Sequence, residues 1–321
     1  MPPAVEACLF LCLTKQTRHV ARLLDTLHSF TREAPIRVSS EGLTIKTTDP
    51  DKLTFTHVIL DAPAFDRYYI NLPSGAIEFG VCIDTMRNLL RNLVAQDSIC
   101  LFVTKDQPDK MGISTYSSQT HTRHIHSMGL LKFPFKNFVV PDTPCDWRVR
   151  VNSSHLREAI HQISYNRGTS IGFALSDNGL LLHSKGDFSQ TTLSAPILSG
   201  GLGPSPPPSR FTSKDSPSVV DASTKATSPM TFFPLKVVDK FSKSFSLSAL
   251  CDISVINDGL LTMNFHIGSL GAIIYMIAPY VEPQALVPVV PENLILFNDY
   301  LDEYAETQVE EDEAEHTEDD Q

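Results

Sequence analysis

The sequence predicts an α+β protein whose antiparallel sheets carry helices on one face. An amphipathic helix followed by a β-hairpin occurs four times, and predicted strands outnumber helices. The helices should begin near Thr14, Asp84, Ser153 and Leu235, which are nearly evenly spaced along the chain. Self-similarity at a nearly constant period indicates one supersecondary module that the chain uses repeatedly.

Each helix is followed by a predicted hairpin, and the distance from helix start to turn is similar in all four modules. The turns fall near Gly42, Gln107, Gly179 and Gly259. Asn-Gly and Asp-Gly between apolar runs are strong hairpin signals, because glycine accepts a positive φ without penalty. The second hairpin lacks such a glycine and should have a looser turn. Further strands are predicted at 54–60, 76–83, 147–151, 190–194 and 272–278.

Each predicted helix has an apolar face and a cationic face. The apolar sets, which follow helical periodicity, are Leu13, Val20, Leu23, Leu24 and Leu27; Met86, Leu89, Leu90 and Leu93; Leu156, Ile160 and Ile163; and Val237, Val238 and Phe241. The cationic sets are Lys15, Arg18 and Arg22; Arg87 and Arg91; Arg157 and His161; and Lys236, Lys240 and Lys243. Residues three, four or seven apart lie on one helical face, so each cationic set should form a stripe.

Four stripes of one sign are unusual for helices that merely face solvent, because exposed helices gain ion pairs by mixing charges. The stripes favour a shared surface for a polyanion, bound through sequence-independent phosphate contacts. No aromatic residues alternate with the cations, as a single-strand binder would need for base stacking, so duplex DNA is the expected ligand. Solvated helix faces are the alternative.

The 321 residues suit two domains, and the four modules pair into two halves. We predict an N-terminal domain at 1–123, a connector at 124–146 and a C-terminal domain at 147–283. The connector contains three prolines and should be extended. The stretch 200–229 is rich in Pro, Ser and Gly and is expected to be a disordered insert.

The net charge of −11 hides a nearly neutral body. Residues 299–321 contain twelve acidic residues and no Lys or Arg, so the rest of the chain carries −11 + 12 = +1. The segment 284–321 is predicted to be an acidic, solvated extension. Six scattered cysteines without a CxxC pair, together with the lack of a signal peptide or an apolar span, favour a reducing intracellular compartment.

Catalytic and metal-binding motifs are missing from the sequence. His121, His124 and His126 lie together, but no Cys or acidic partner is near in sequence, so loop histidines are favoured over a metal site. There is no nucleophile elbow, Walker loop or HExxH motif. We therefore expect neither an enzyme nor a cofactor.

Several segments resemble the eukaryotic sliding clamp family, proliferating cell nuclear antigen. They are the hairpin and loop at 39–49, the Phe65-Asp66-Arg67-Tyr68 segment, the helix start at 233–236, and the final strand at 275–282. The order and spacing of these segments carry the resemblance, which covers most of residues 7–283.

The resemblance implies two similar DNA-clamp domains with their helices on the inner face of a closed ring, usually a homotrimer. Such a ring would encircle duplex DNA and tether a DNA polymerase as a processivity factor in replication and repair, after a clamp loader places it on DNA. The ten cations of the stripes would line the channel. A nuclear location is implied, with a cytoplasmic viral replication site as the alternative.

The resemblance also implies a pocket for short motifs of client proteins. Its residues here would be Lys52, Leu53, Phe138, Val140, Met276 and Pro279. Thr48 and Met276 stand where the family tends to carry Met and Tyr. Ring closure is expected between an edge strand at 111–118 and one at 182–193.

Two other clamp-type functions stay open at this stage. One is a subunit of a heterotrimeric checkpoint-type clamp, and the other is a clamp-fold polymerase accessory factor that closes no ring. The chain continues well beyond the resemblance and contains the long insert. These departures indicate a divergent family member, of cellular or viral origin.

Overall fold

A computed structural model describes residues 3–72, 75–132, 145–165, 168–176, 179–186, 189–195, 197–198, 228–256 and 259–280. The chain divides into two compact units, Met1–Tyr280 and Val281–Gln321, and all described residues belong to the first. The predicted extension 284–321 and nearly all of the predicted insert 200–229 therefore lie outside the described residues. No helix in the described part of the chain is long and apolar enough to cross a membrane.

The first half contains two repeats of one pattern, namely a strand, a helix and three more strands. The first repeat is β1 (Cys8–Thr14), α1 (Thr17–Leu27), β2 (Glu33–Ser39), β3 (Gly42–Thr48) and β4 (Thr54–Asp61), and a short strand β5 (Arg67–Ile70) follows it. The second repeat is β6 (Ala76–Cys82), α2 (Ile83–Leu90), β7 (Ser98–Thr104), β8 (Lys110–Tyr116) and β9 (Arg123–Gly129). Short 3-10 turns occur at Val5–Ala7 and Ala62–Ala64.

The second half repeats the pattern twice more. The third repeat is β10 (Cys145–Asn152), α3 (Ser153–Ser164), β11 (Ser170–Ser176), β12 (Gly179–Lys185) and β13 (Gln190–Ala195). The fourth repeat is β14 (Thr231–Pro234), α4 (Leu235–Lys240), a 3-10 helix (Phe241–Ser246), β15 (Leu250–Ile256), β16 (Leu260–His266) and β17 (Gly271–Ile277). The predicted α+β class and the fourfold repeat are confirmed.

The strands of the described residues form three antiparallel sheets in which the repeats are interlocked. Their orders are β5-β1-β7-β8-β9, β10-β15-β16-β17-β4-β3-β2-β6, and β13-β12-β11-β14. The first strand of each repeat pairs with the hairpin of the other repeat in its half: β1 with β7, β6 with β2, β10 with β15, and β14 with β11. Each half therefore folds as a pair of repeats, because one repeat alone cannot complete its sheet.

A central seam joins the two halves. Strands β4 and β17 pair antiparallel from Thr54↔Ile277 to Leu60↔Gly271, so the eight-stranded sheet contains strands of both halves. The division into domains at 1–123 and 147–283 stays a prediction. Residues 124–129, which we assigned to the connector, form most of β9 and pair with β8.

The second, third and fourth helices begin within one residue of their predicted starts, whereas the first does not. Helix α2 ends at Leu90, so Leu93, which we assigned to its apolar face, lies beyond the helix. Strand β1 pairs with β7 through Thr14↔Ile99, so α1 begins at Thr17 and not near Thr14. Leu13, which we assigned to the helix, therefore lies on β1 and packs beside a separate apolar cluster. The α-helix α4 ends at Lys240, so Lys243 lies in the 3-10 helix that follows.

A glycine closes the first hairpin as predicted. Gly42 has φ +143°, and a Cβ atom at this position would clash with the carbonyl oxygen of Leu60. The backbone of β4 thus lies so close to the start of β3 that only glycine fits there.

The main core lies between the helices and the sheets. The predicted apolar residues of the helices with 5% exposure or less are Leu23, Leu24, Leu27, Met86, Leu90, Leu156, Ile160, Ile163, Val237, Val238 and Phe241. At the central seam the rings of Phe30, Phe241 and Tyr275 meet with centroid separations of 4.4 to 5.3 Å. Aromatic burial of this kind is worth several kcal/mol (about 1.5–3 kcal/mol per large side chain), so the seam is a stable part of the fold.

The predicted edge strand at 111–118 is wrong. Strand β8 is paired on both sides, with β7 and with β9, which leaves β9 as the edge of that sheet. The other predicted edge, 182–193, spans interior strand β12 and edge strand β13. The sequence missed β9 because its burial pattern has a single buried residue, Met128, and so gives no apolar alternation.

Candidate nucleic-acid interface

The four helices form one continuous layer. Helix α2 contacts α1, α1 contacts the 3-10 helix Phe241–Ser246, and that segment contacts both α3 and α4. Nine of the ten predicted channel residues are exposed, and the tenth, Lys240, is partly exposed and faces two carboxylates. The apolar faces of the helices point into the core, so the cationic faces point away from it.

Three cations that are far apart in sequence line one depression in this layer. Arg22 of α1, Arg87 of α2 and Lys243 of the 3-10 helix surround a space of about 300 Å³, together with Asp25 and Ser246. The structure thus brings together members of three predicted stripes. Their convergence follows from the helix contacts, because α1 lies between the other two segments.

The cations of this depression differ in how much of their charge is compensated. Arg22 donates from Nη1 to the carbonyl oxygen of Ser246 at 2.8 Å and so keeps its full charge. Arg87 donates from Nε to Oδ1 of Asp25 at 2.5 Å. Both members of this ion pair are about half exposed, so water screens it and its net contribution to stability is about 0–1 kcal/mol.

Six further predicted channel residues extend the layer without lining the depression. They are Lys15 just before α1, Arg18 on α1, Arg91 at the C-cap of α2, Arg157 and His161 on α3, and Lys236 on α4. The backbone N–H of Lys15 donates to Oδ2 of Asp66 at 2.8 Å, and the ring of His161 packs edge-on against Tyr165 at 4.9 Å. Burial, and to a lesser degree the Arg22 guanidinium, lowers the pKa of His19, so this histidine adds no charge to the layer at neutral pH.

Sequence reasoning missed the role of Asp25. This residue continues the row Arg18, Arg22 on α1 at helical spacing, so it is an acidic member of a basic stripe. The spacing could have revealed its place on the stripe, but its partner Arg87 is 62 residues away and only the fold brings it near. A second acidic residue, Asp84, holds His28 Nε2 at 2.5 Å between α2 and α1.

Lys240 differs from the other predicted channel residues. Its ammonium lies 3.4 Å from Oδ2 of Asp49 and 3.5 Å from Oδ2 of Asp51. Its side chain is 26% exposed, whereas that of Asp49 is 1% exposed. Lys240 therefore points to the loop between β3 and β4.

Four of the six predicted pocket residues are described, and they lie around this loop and the end of β17. Leu53 is 38% exposed, and its carbonyl oxygen accepts from the N–H of Ala278 at 3.2 Å, which places the loop beside Pro279. Met276 is buried in a small cluster with Phe55 and Ile274, separate from the main core. Lys52 is exposed, and Phe138 and Val140 lie outside the described residues.

The predicted histidine cluster lies mostly on edge strand β9. The rings of His124 and His126 stack 6.4 Å apart, and Nδ1 of His121 is 3.0 Å from the hydroxyl of Tyr116. Among the residues that the structure describes, no three His, Cys, Asp or Glu side chains converge as metal ligands.

Comparison with known proteins identifies the family. The family model described as "Repair protein Rad1/Rec1/Rad17" matches residues 9–267. The DNA polymerase sliding clamp of Pyrococcus horikoshii is 23% identical over 185 residues, which is 58% of this chain and 71% of that protein. DNA polymerase sliding clamp 3 of Sulfurisphaera tokodaii is 26% identical over 187 residues, or 56% of this chain and 70% of that protein.

A viral relative matches a longer stretch. The probable DNA polymerase sliding clamp 1 of Paramecium bursaria Chlorella virus 1 is 21% identical over 280 residues, covering 84% of this chain and 97% of that protein. The family match runs from β1 to just beyond β16 and so includes part of every repeat, and the relatives agree with the resemblance found in the sequence. The chain therefore belongs to the Rad1/Rec1/Rad17 family of repair proteins and is a divergent member of the sliding clamps.

Proposed function

We propose that this chain is a subunit of a ring that encircles duplex DNA and tethers a DNA polymerase or a repair enzyme to it. The observation that carries the proposal is the meeting of Arg22, Arg87 and Lys243 around one depression in a continuous helical layer. Cations of this kind bind phosphates without reading bases, which a ring that slides requires. Its contribution is to raise the effective concentration of its client at the DNA, with no catalytic step.

The internal repeat supports ring closure through β9 and β13. Strands β4 and β17 are the last strands of the first and fourth repeats, and they pair with each other within the chain. Strands β9 and β13 are the last strands of the second and third repeats, and each is the edge of its sheet. We propose that β9 of one subunit pairs with the β13 strand of the next, which repeats the central seam between subunits.

The repeat also gives the register of this pairing. Strand β9 is aligned with β4 by matching the pair Lys110↔Gly129 to the pair Gly42↔Asp61, which places His124 at the position of Thr56. Strand β13 is aligned with β17 by matching Leu181↔Ser194 to Leu261↔Ile277, which places Thr192 at the position of Tyr275. The seam pair Thr56↔Tyr275 therefore becomes His124 opposite Thr192 of the neighbour.

Two ring compositions are proposed. The first is a homotrimer with a polymerase client and a clamp loader, and the names of the relatives, DNA polymerase sliding clamps, support the polymerase client. The second is a heterotrimeric repair or checkpoint ring with two other clamp-fold chains, and the description of the family model as a repair protein supports the repair role. Light scattering of the chain alone distinguishes them, because only a homotrimer reaches three times the mass of 35.5 kDa. With His124→Cys and Thr192→Cys in one chain, a homotrimer should form an intermolecular disulfide on oxidation.

The DNA-facing role is tested by charge reversal. Arg18→Glu with Arg91→Glu should lower the affinity of the full chain for duplex DNA by about tenfold or more, because it removes two cations and adds two anions. The control is Arg37→Glu, a single charge reversal at an exposed arginine of β2 that is paired with Glu78. Unchanged DNA binding and processive synthesis in the double variant would refute the proposed interface.

We also propose a nuclear site of action, with a viral replication site in the cytoplasm as the alternative. Imaging of the tagged full chain in its native cell would distinguish the two.

A further inference from the structure

We propose that Lys240 is a positioning residue that holds the loop between β3 and β4, and that it does not serve as a DNA contact. The loop is organised by one carboxylate. Oδ1 of Asp49 accepts from the backbone N–H groups of Leu53 and Thr54, both at 2.9 Å. Oδ2 of the same carboxylate faces the ammonium of Lys240 at 3.4 Å.

The contact between Lys240 and Asp49 is important because Asp49 is buried. The Asp49 side chain is 1% exposed, and a buried carboxylate without a compensating partner is strongly unfavourable. Among the described residues, Lys240 is the cation that compensates this carboxylate. It lies in the last repeat, 191 residues after Asp49 in the sequence. The contact therefore ties the first repeat to the fourth beside the central seam.

The loop that Lys240 holds has a defined and strained shape. Lys52 adopts φ +53°, an uncommon value for a non-glycine residue, and its N–H donates to the carbonyl oxygen of Asp49 at 2.9 Å. Leu53 is presented at 38% exposure, while its carbonyl oxygen is bound by Ala278 at the end of β17. Lys240 thus fixes the segment that presents Lys52 and Leu53 at the surface.

The same contacts argue against a DNA role for Lys240. Its ammonium faces two carboxylates, those of Asp49 and Asp51, so its charge is already compensated. A phosphate would have to displace it from a buried carboxylate. Lys236, one helical turn earlier on α4, is exposed and serves as the matched control.

The test compares Lys240→Met with Lys236→Met in the full chain. Lys240→Met should speed amide hydrogen exchange at Leu53 and Thr54 by about tenfold or more and leave the salt dependence of duplex binding unchanged. Lys236→Met should leave that exchange unchanged and reduce the slope of log affinity against log salt by about one. Unchanged loop exchange in Lys240→Met, or a slope reduced as in Lys236→Met, would overturn the inference.

A second variant keeps the test decisive if Lys240→Met folds poorly. Asp49→Asn combined with Lys240→Met removes both charges, and the asparagine oxygen still accepts from Leu53 and Thr54. This double variant should recover most of the loop protection, and failure to recover it would count against the charge pairing. The DNA measurements rest on the proposed function, whereas the exchange measurements do not. If duplex binding showed no salt dependence in any variant, the proposed DNA binding would be refuted. The inference about the loop would still stand on the exchange measurements.

Discussion

Replacing Asp25 by asparagine should strengthen the binding of duplex DNA. Among the described residues that line the depression with Arg22, Arg87 and Lys243, Asp25 is the acidic one, and it holds the guanidinium of Arg87. The substitution removes a repulsive charge and frees Arg87 for a phosphate.

The size of the effect can be estimated from Coulomb's law. Unit charges roughly 7 Å apart in water interact with about 0.6 kcal/mol, or about half of this at physiological salt. The freed Arg87 adds up to about 0.9 to the slope of log affinity against log salt. The Coulomb term alone predicts an affinity gain of about twofold to threefold for each subunit, and a new contact from the freed Arg87 adds to it. The cost in stability should stay below about 1 kcal/mol, because the Asp25–Arg87 pair is half exposed.

The assay is fluorescence anisotropy of a labelled DNA duplex with the full chain, at salt concentrations from about 50 to 200 mM. The control is Glu78→Gln, which removes the same charge from an exposed pair with Arg37 (Nη1–Oε1 3.1 Å) on β6 and β2. The strand neighbours Ile36 and Phe79 point into the core, so this pair lies on the opposite face of the sheet. The reasoning fails if Asp25→Asn weakens binding, or if Glu78→Gln strengthens it equally.

Three further predictions concern stability. Burial, with a smaller contribution from Lys46, lowers the pKa of His57 to about 4, so the unfolded chain takes up this proton near pH 6.5 and the folded chain only near pH 4. His57 should thus leave the unfolding free energy unchanged above pH 6.5 and lower it by about 3 kcal/mol at pH 4. The variant His57→Gln should therefore lose less stability between pH 7 and pH 4.5, measured by urea denaturation. Identical pH profiles of the two proteins would contradict this. Tyr275→Phe should lower the unfolding free energy by about 1–2 kcal/mol, because it leaves the buried Ser244 hydroxyl, 2.7 Å from the Tyr275 hydroxyl, without this partner; an unchanged denaturation midpoint would count against it. Gly42→Val should cost about 2 kcal/mol or more, since φ +143° and the approaching strand both exclude a side chain; a melting temperature within a degree of the parent would refute it.

Local patterns determined which parts of the fold could be predicted from the sequence. Helices with a regular apolar period and hairpins with a glycine turn were predictable, because these signals lie within short stretches of the chain. The start of α1 was not, because Leu13 satisfies both the helical period and a position on β1. Strand β9 was not predictable either, since Ile125 is 50% exposed and its neighbours are polar.

The candidate interface was also predictable only as far as local patterns reach. Helical spacing placed the cations on outward faces, but it could not show which of them meet an acidic residue from elsewhere in the chain. Arg87 and Lys240 both do, through partners 62 and 191 residues away. Such contacts depend on how repeats are arranged in space, which a local pattern does not contain.

The two kinds of seam have different chemistry, and this bears on how the proposed ring would work. The seam within the chain encloses Phe30, Phe241 and Tyr275, with ring centroids 4.4 to 5.3 Å apart. In the proposed register, the position of Tyr275 is taken by Thr192 and that of Thr56 by His124, so the seam between subunits lacks this aromatic contribution. A ring must open to admit DNA, and it opens where the least apolar surface is separated. We therefore expect a homotrimeric ring of this register to open at its β9–β13 seams while the β4–β17 seam stays closed.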